Sequence, residues 1–259
     1  MEPADLGAWL RTAWLGRENS YHEVLGSTQD EARGLAAGGA AHGYLVWAGE
    51  QTRGRGRLDR RWDSPAGTGL WFSFIVRPGV PAHRMAALPL AVGAAVAAAL
   101  DVEAPGRVRL KWPNDLLLDG LKVAGILVEG QVADGRLEYA VVGVGVNLVR
   151  PPGGFDPVIS SIAAALADAT GVAPSPARIL AALLASLETA YAELLAHGPG
   201  AARRRWLELS DTIGRDVVAH LDGAEVRGRA VDLDPDGSLV LDTVGGRRAI
   251  SFGEIQHLR

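Results

Sequence analysis

Residues 108–112, 123–129 and 139–146 form three apolar runs rich in β-branched side chains, and Asp119-Gly120 and Asp134-Gly135 fall between them. Asp-Gly pairs suit two-residue hairpin turns, because both central positions of a type I′ turn need φ > 0. Parallel neighbours would need crossovers of a dozen residues or more. The spacing therefore predicts a mixed or largely antiparallel sheet with helices, an α+β fold, in preference to a doubly wound parallel sheet.

The flanking segments fit that frame. Thr28-Gln29-Asp30-Glu31 has capping-box spacing and opens a short helix that stops at Gly38-Gly39. Residues 44–48 and 70–76 read as buried strands, and the alanine-rich run 86–100 as a buried helix too short to span a bilayer. Ser175-Pro176 starts a helix, the serine as cap, with apolar positions from Ile179 to Leu195 at helical spacing and Gly198-Pro199 as its stop. From residue 211 the pattern changes to short strands at 217–221, 226–231, 238–241 and 247–252. Asp222-Gly223, Asp236-Gly237 and Gly245-Gly246 separate them, as in a small SH3-like β-barrel. The expected division is a larger α+β domain over residues 1–210 and a small all-β domain over 211–259.

The 259 residues are 48 % hydrophobic with a net charge of −4, which describes an ordinary soluble globular protein. The absence of cysteine excludes disulfides, thiolate metal sites and cysteine nucleophiles. Glu2 and Asp5 replace the basic n-region of a signal peptide, so the expected location is cytoplasmic, with no membrane partner. A mildly acidic chain is also a poor candidate for duplex nucleic acid as its main partner.

Against that background, residues 53–62 carry five arginines and one acid, Asp59, within ten positions. Gly54 and Gly56 let the backbone bend close to a ligand, and the mutual repulsion of the guanidinium groups predicts a loop that orders on an anion. A solvated basic loop is the plain alternative, and an RNA contact a second one. Gly54-x-Gly56-x-x-Asp59 is not a dinucleotide fingerprint, because Pro65, Gly67 and Gly69 prevent a helix from following. Downstream, Lys111-Trp112-Pro113-Asn114-Asp115 breaks the chain between two apolar runs. Lys122 sits at a turn into a strand, Gly125 leaves room for a ligand, and Gly143-Val144-Gly145-Val146-Asn147 ends a glycine-rich strand in an amide. Cations for phosphate, amides for a base or ribose and a glycine-lined slot for a smaller ligand form an inventory for activating a carboxylate with ATP. That reaction needs no nucleophilic side chain. Its difficulty is like charge, about 4 kcal/mol per unit pair at 4 Å and an effective dielectric near 20, which fixed cations can offset.

In this order, Gly26-Ser27-Thr28, Gln51, the 54–62 loop, Lys111 to Asp115, Lys122 to Gly125, Gly143 to Asn147 and the C-terminal strands resemble the biotin–protein ligases over nearly the whole chain. The resemblance implies a class II aminoacyl-tRNA-synthetase-like catalytic domain followed by the SH3-like barrel. It implies formation of biotinyl-5′-AMP from biotin and ATP, then transfer to a lysine on the biotin carboxyl carrier domain of a carboxylase. On that basis Ser27, Thr28 and Gln51 would hold the biotin ureido ring, with Gly125 lining its slot. Arg55 and Arg57 would close over carboxylate and phosphates, with the Gly56 backbone between them. Lys122 would bridge carboxylate and α-phosphate as the essential residue. Lys111 would support the phosphates, Asn114 and Asn147 would meet the nucleotide, and Trp62 would pack on its adenine side. Mg²⁺ would arrive mainly on the ATP phosphates. Two positions depart from the family pattern: Asp59 replaces a customary glycine, and Gln29 a frequent asparagine. Only about twenty residues precede Tyr21, too few for the winged helix of the repressor forms, so no operator DNA is expected. A lipoate ligase, and a non-enzymatic nucleic-acid-binding module using the arginine loop, are the rival readings.

Overall fold

The computed structural model describes residues 3–221 and 224–258. Glu2 and the Asp222-Gly223 turn lie outside the described residues. The elements run α1 (Pro3–Trp9), β1 (Asn19–Leu25), α2 (Thr28–Ala37), β2 (Leu45–Gln51), β3 (Gly69–Val76), α3 (Leu88–Asp101), β4 (Val108–Lys111), β5 (Asp115–Leu118), β6 (Leu121–Ala133) and β7 (Arg136–Asn147). They continue with α4 (Ala167–Thr170), α5 (Pro176–His197), α6 (Gly200–Leu209), β8 (Asp216–Leu221), β9 (Ala224–Leu233), β10 (Leu239–Thr243), β11 (Gly246–Ile250) and β12 (Glu254–His257).

Strands β1 to β7 form one sheet in the order β1-β2-β3-β7-β6-β5-β4. Only β1 and β2 are parallel; every other pair is antiparallel, so the sheet is mixed, as the hairpin spacing implied. Both Asp-Gly turns take the doubly left-handed form, with φ 50° and 84° at Asp119-Gly120 and 50° and 73° at Asp134-Gly135. The sequence reading missed β1, a polar edge strand, and β5, a four-residue strand that starts two residues after Pro113. Ser27, directly before the capping-box threonine, is the N-cap of α2, its Oγ accepting the Asp30 amide at 3.5 Å. Ser175 occupies the cap position of α5 but makes no side-chain capping bond.

The period of two along the strands divides the core. Leu70, Phe72, Phe74 and Val76 of β3 join Val142, Val144 and Val146 of β7 against α3 and α5. Helix α3 is the centre of that layer, burying ten of its fourteen residues, so its length and apolarity are those of a core helix. The opposite face carries a smaller cluster, in which Ala32 and Ala36 of α2 rest on Val46, Ile75 and Val141. Helix α2 covers only part of this face, and the remainder is open to the arginine loop.

Strands β8 to β12 form the antiparallel, SH3-like sheet β11-β10-β9-β8-β12. The unpredicted β12 pairs with β8. This sheet is joined to the first through the β4–β5 turn, where the Trp112–Pro113 peptide is cis. Trp112 donates its amide to Thr212 Oγ1 at 3.0 Å and its indole N–H to the Gly237 carbonyl at 3.0 Å.

Burial lowers the pKa of two histidines, His42 and His257, and His42 is the one packed in the main domain. His42 stacks on Trp14 at 4.2 Å and accepts the Arg77 amide on Nδ1 at 2.9 Å. Burial and then Arg77 lower its pKa, with Glu188 partly opposing. The unfolded chain therefore binds a proton that the folded ring resists, so this contribution to stability is complete above about pH 6.5 and declines as pH falls below it. Denaturant melts should show stability dropping from pH 7 to 5.5, with a shallower drop in His42→Asn, which keeps an acceptor that does not titrate; identical slopes would exclude this role.

Candidate functional site

The uncovered part of the sheet becomes a cavity floor through three glycines. Gly125 of β6 lies directly across from Gly145 of β7, and Gly145 from Trp71 of β3; in the next row Gly143 faces Ser73. A Cβ on Gly145 would lie 2.7 Å from Trp62 Cε2, and one on Gly125 2.8 Å from Trp62 Cζ3. The glycine slot inferred from sequence as ligand space is thus first occupied by the Trp62 indole, which closes one wall. Lys122 Nζ sits 5.1 Å from the centroid of that ring. A cavity of about 290 Å³ opens beside it, and all twelve residues nominated from the sequence line it: Ser27, Thr28, Gln51, Arg55, Gly56, Arg57, Trp62, Lys111, Asn114, Lys122, Gly125 and Asn147.

At one end the lining is buried and polar. Gln51 Oε1 accepts from the Thr28 amide at 2.9 Å and from Thr28 Oγ1 at 3.1 Å, and its Nε2 donates to Ser64 Oγ at 2.9 Å. Thr28 Oγ1 is 3.0 Å from Ser73 Oγ, which donates to Gln29 Oε1 at 3.2 Å. An unsatisfied buried polar group costs about 1–3 kcal/mol, so these side chains hold one another in a single arrangement. Ser73 and Gln29 were not nominated as site residues. A lone hydroxyl inside Leu70-Trp71-Phe72-Ser73-Phe74 was the available signal.

The arginine segment is a hairpin. Gln51 bridges Ser64 at its base and Arg55 bridges Arg61 along its arms, with Gly56 N donating to the Arg60 carbonyl at 2.7 Å. At the tip Leu58 and Asp59 have φ of 52° and 56°. Asp59, standing where the family has glycine, therefore adopts the left-handed backbone that glycine favours and aspartate tolerates. The expectation is a loop ordered by an anion; here two of its five charges are met by acids of the protein. Arg60 pairs with Glu254, and Arg55 binds Asp30 and Glu129. Two carboxylates hold the Arg55 guanidinium on the cavity wall. Burial opposes the charge of Arg55, but Glu129 and Asp30 outweigh it and raise its pKa.

Arg57 differs. Among the described residues its guanidinium donates to the Gly253 carbonyl alone, at 3.3 Å, and burial lowers its pKa, with Glu254 and Asp115 partly compensating. A desolvated cation with so thin a set of partners is well suited to an incoming anion. Lys122 is paired with Asp115 at 2.6 Å across the β5–β6 hairpin. Asp115, quoted in the motif but given no role, is what aims this lysine. Asn114 donates Nδ2 to the Ile126 carbonyl at 2.7 Å and Asn147 to the Ala164 carbonyl at 3.0 Å, so each amide braces backbone beside the cavity. Lys111 closes the far end of β4, and Phe155, Ile159 and Ile162 supply an apolar flank that the sequence reading missed.

Residues 22–147 match the Biotin/lipoate A/B protein ligase family, and residues 212–258 the Biotin protein ligase C terminal domain. The chain belongs to the biotin protein ligases. It is 34 % identical to the bifunctional ligase/repressor BirA of Bacillus subtilis over 95 % of this chain and 76 % of that protein. It is 38 % identical to the biotin–[acetyl-CoA-carboxylase] ligase of Mycobacterium tuberculosis over 96 % of this chain and 94 % of the relative. Among solved structures, the Aquifex aeolicus biotin protein ligase in complex with biotin and ATP superposes with a TM-score of 0.79 at 26 % identity, covering 94 % of this chain and 99 % of that one. Family membership and the glycine floor together make Trp62 the testable element. Gly145→Ala should displace the indole, change tryptophan fluorescence and weaken binding of biotin or ATP at least about tenfold in calorimetry, the scale of a misplaced binding group. Unchanged affinity would show that the wall position does not matter.

Proposed function

We propose that this chain activates biotin with ATP to biotinyl-5′-AMP and transfers the biotinyl group to a lysine of a biotin carboxyl carrier protein. The observation that carries this reading is one cavity with two unlike ends: the buried Thr28–Gln51–Ser73 cluster, and the cations Arg57, Lys111 and Lys122. A polar ring system fits the first end and phosphates the second, with the reacting carboxylate between them.

In the first step a biotin carboxylate oxygen attacks the α-phosphorus, and pyrophosphate leaves. Lys122, aimed by Asp115, meets both the carboxylate and the α-phosphate. Arg57 exchanges the Gly253 carbonyl for the product's phosphate and carbonyl oxygens, and Lys111 supports the leaving phosphates. Three such cations can offset several terms of about 4 kcal/mol each in a partly desolvated site. In the second step the carrier lysine attacks the acyl carbon, AMP leaves, and the amine proton is released. Among the described residues no group of three or more histidines or acids is placed to hold a metal. Mg²⁺ would arrive with ATP, mainly on its phosphates, and would neutralise charge there.

Residues 1–210 would carry this chemistry and 211–259 would brace the hairpin tip through Gly253 and Glu254. The curated relatives named for acetyl-CoA-carboxylase support that enzyme's carrier domain as the partner, and the reading places the reaction in the cytoplasm. The test is pyrophosphate release and acyl-adenylate formation with ATP, Mg²⁺ and either biotin or lipoate. Biotin should give the adenylate and lipoate should not; the reverse would replace this reading with a lipoate ligase. Lys122→Ala should reduce adenylate formation at least about 100-fold while the fold persists. Near-normal turnover would show that the lysine is misassigned.

A further inference from the structure

We propose that Glu129 is a positioning residue that holds the arginine hairpin against the sheet through Arg55, and that Gln29 links this hold to the polar end of the cavity. Arg55 donates to Asp30 Oδ1 at 2.9 Å, to Glu129 Oε1 at 3.0 Å and to Glu129 Oε2 at 3.3 Å. Glu129 Oε2 also accepts from Gln29 Nε2 at 2.9 Å. The other end of the Gln29 amide accepts from Ser73, and Ser73 continues through Thr28 and Gln51 to Ser64. Ser64 and Gln51 lie at the base of the same hairpin whose arm carries Arg55. The bonds thus make a closed circuit: hairpin base, polar cluster, Gln29, Glu129, hairpin arm.

Side-chain length is what closes it. Gln29 Oε1 lies 2.5 Å from where a Cβ on Gly143 would be, so the amide runs over a floor position that must lack a side chain. Asparagine would be shorter by one methylene, about 1.5 Å, and would leave Glu129 out of reach. In this circuit a ligand that draws on Thr28 or Gln51 also changes the bonds that position Arg55, two residues before Arg57.

This inference rests on the biotin ligase reading for its kinetic consequences but not for its structural one. The structural experiment is limited trypsinolysis of the full chain, with mass spectrometry of cleavage after Arg57 and Arg60. Cleavage should be about tenfold faster in Glu129→Gln than in wild type, with Arg55→Lys as a second variant if the first is poorly folded. Equal cleavage rates overturn the proposal. In an active enzyme, Glu129→Gln should raise KM for biotin and the rate of adenylate release about tenfold, with kcat within about threefold. Combining it with Gln29→Asn should add nothing further. Multiplicative effects, or a lowered kcat with unchanged KM, overturn the link. Wild type that makes no biotinyl-adenylate would instead defeat the proposed function, and the proteolysis comparison would still decide the hold.

Discussion

The indole of Trp62 lies on two facing glycines, and most of the site depends on that contact. Because Gly125 and Gly145 carry no Cβ, a large aromatic from a separate loop reaches the sheet surface. Its position fixes the arm of the hairpin on which it lies. It also gives Lys122 a ring face to sit over, while Asp115 holds the ammonium from the other side. Without the glycine pair the hairpin would stand off the sheet, and the cavity would lose both a wall and an aligned cation.

Charge balance then distinguishes the arginines from one another. Five cations in a short hairpin repel, yet two of the arginines are paired with acids in different parts of the fold. Arg55 is fixed to α2 and β6, and Arg60 to the start of β12. Arg57 is left between these anchors with a carbonyl and partial burial. An arginine already bound by two carboxylates gains little from a ligand, whereas a desolvated one gains much. The division of labour within Gly54-Arg55-Gly56-Arg57 is therefore set by where Asp30, Glu129 and Glu254 happen to come together, not by the loop itself.

Much of the fold was legible because local rules decided it. The Asp-Gly pairs specified antiparallel neighbours through their φ requirement, and the alanine-rich run read as a core helix. Edge strand β1 and the short β5 were not legible, since their pairing is supplied by neighbours and not by their own composition. The site showed the same limit. All the nominated residues reached one cavity, because motifs at strand ends and turns converge when their strands pair. The partners Ser73, Gln29 and Glu129 lie in runs that look like ordinary strand or helix, and Asp115, though inside a quoted motif, carried no sign of which cation it would meet.

The sequence by itself determined an α+β chain with a C-terminal β unit, and a set of cationic, amide and glycine positions suited to an acid-activating reaction. Turn chemistry, hydrophobic period and residue type are local properties, and they can be read along the chain. Only the tertiary structure decided which arginine stays available, which glycine hosts an indole and which amide spans to a carboxylate. Those outcomes depend on hydrogen-bond and ion-pair distances between residues as much as a hundred positions apart, such as Gln29 and Glu129. No local pattern encodes them.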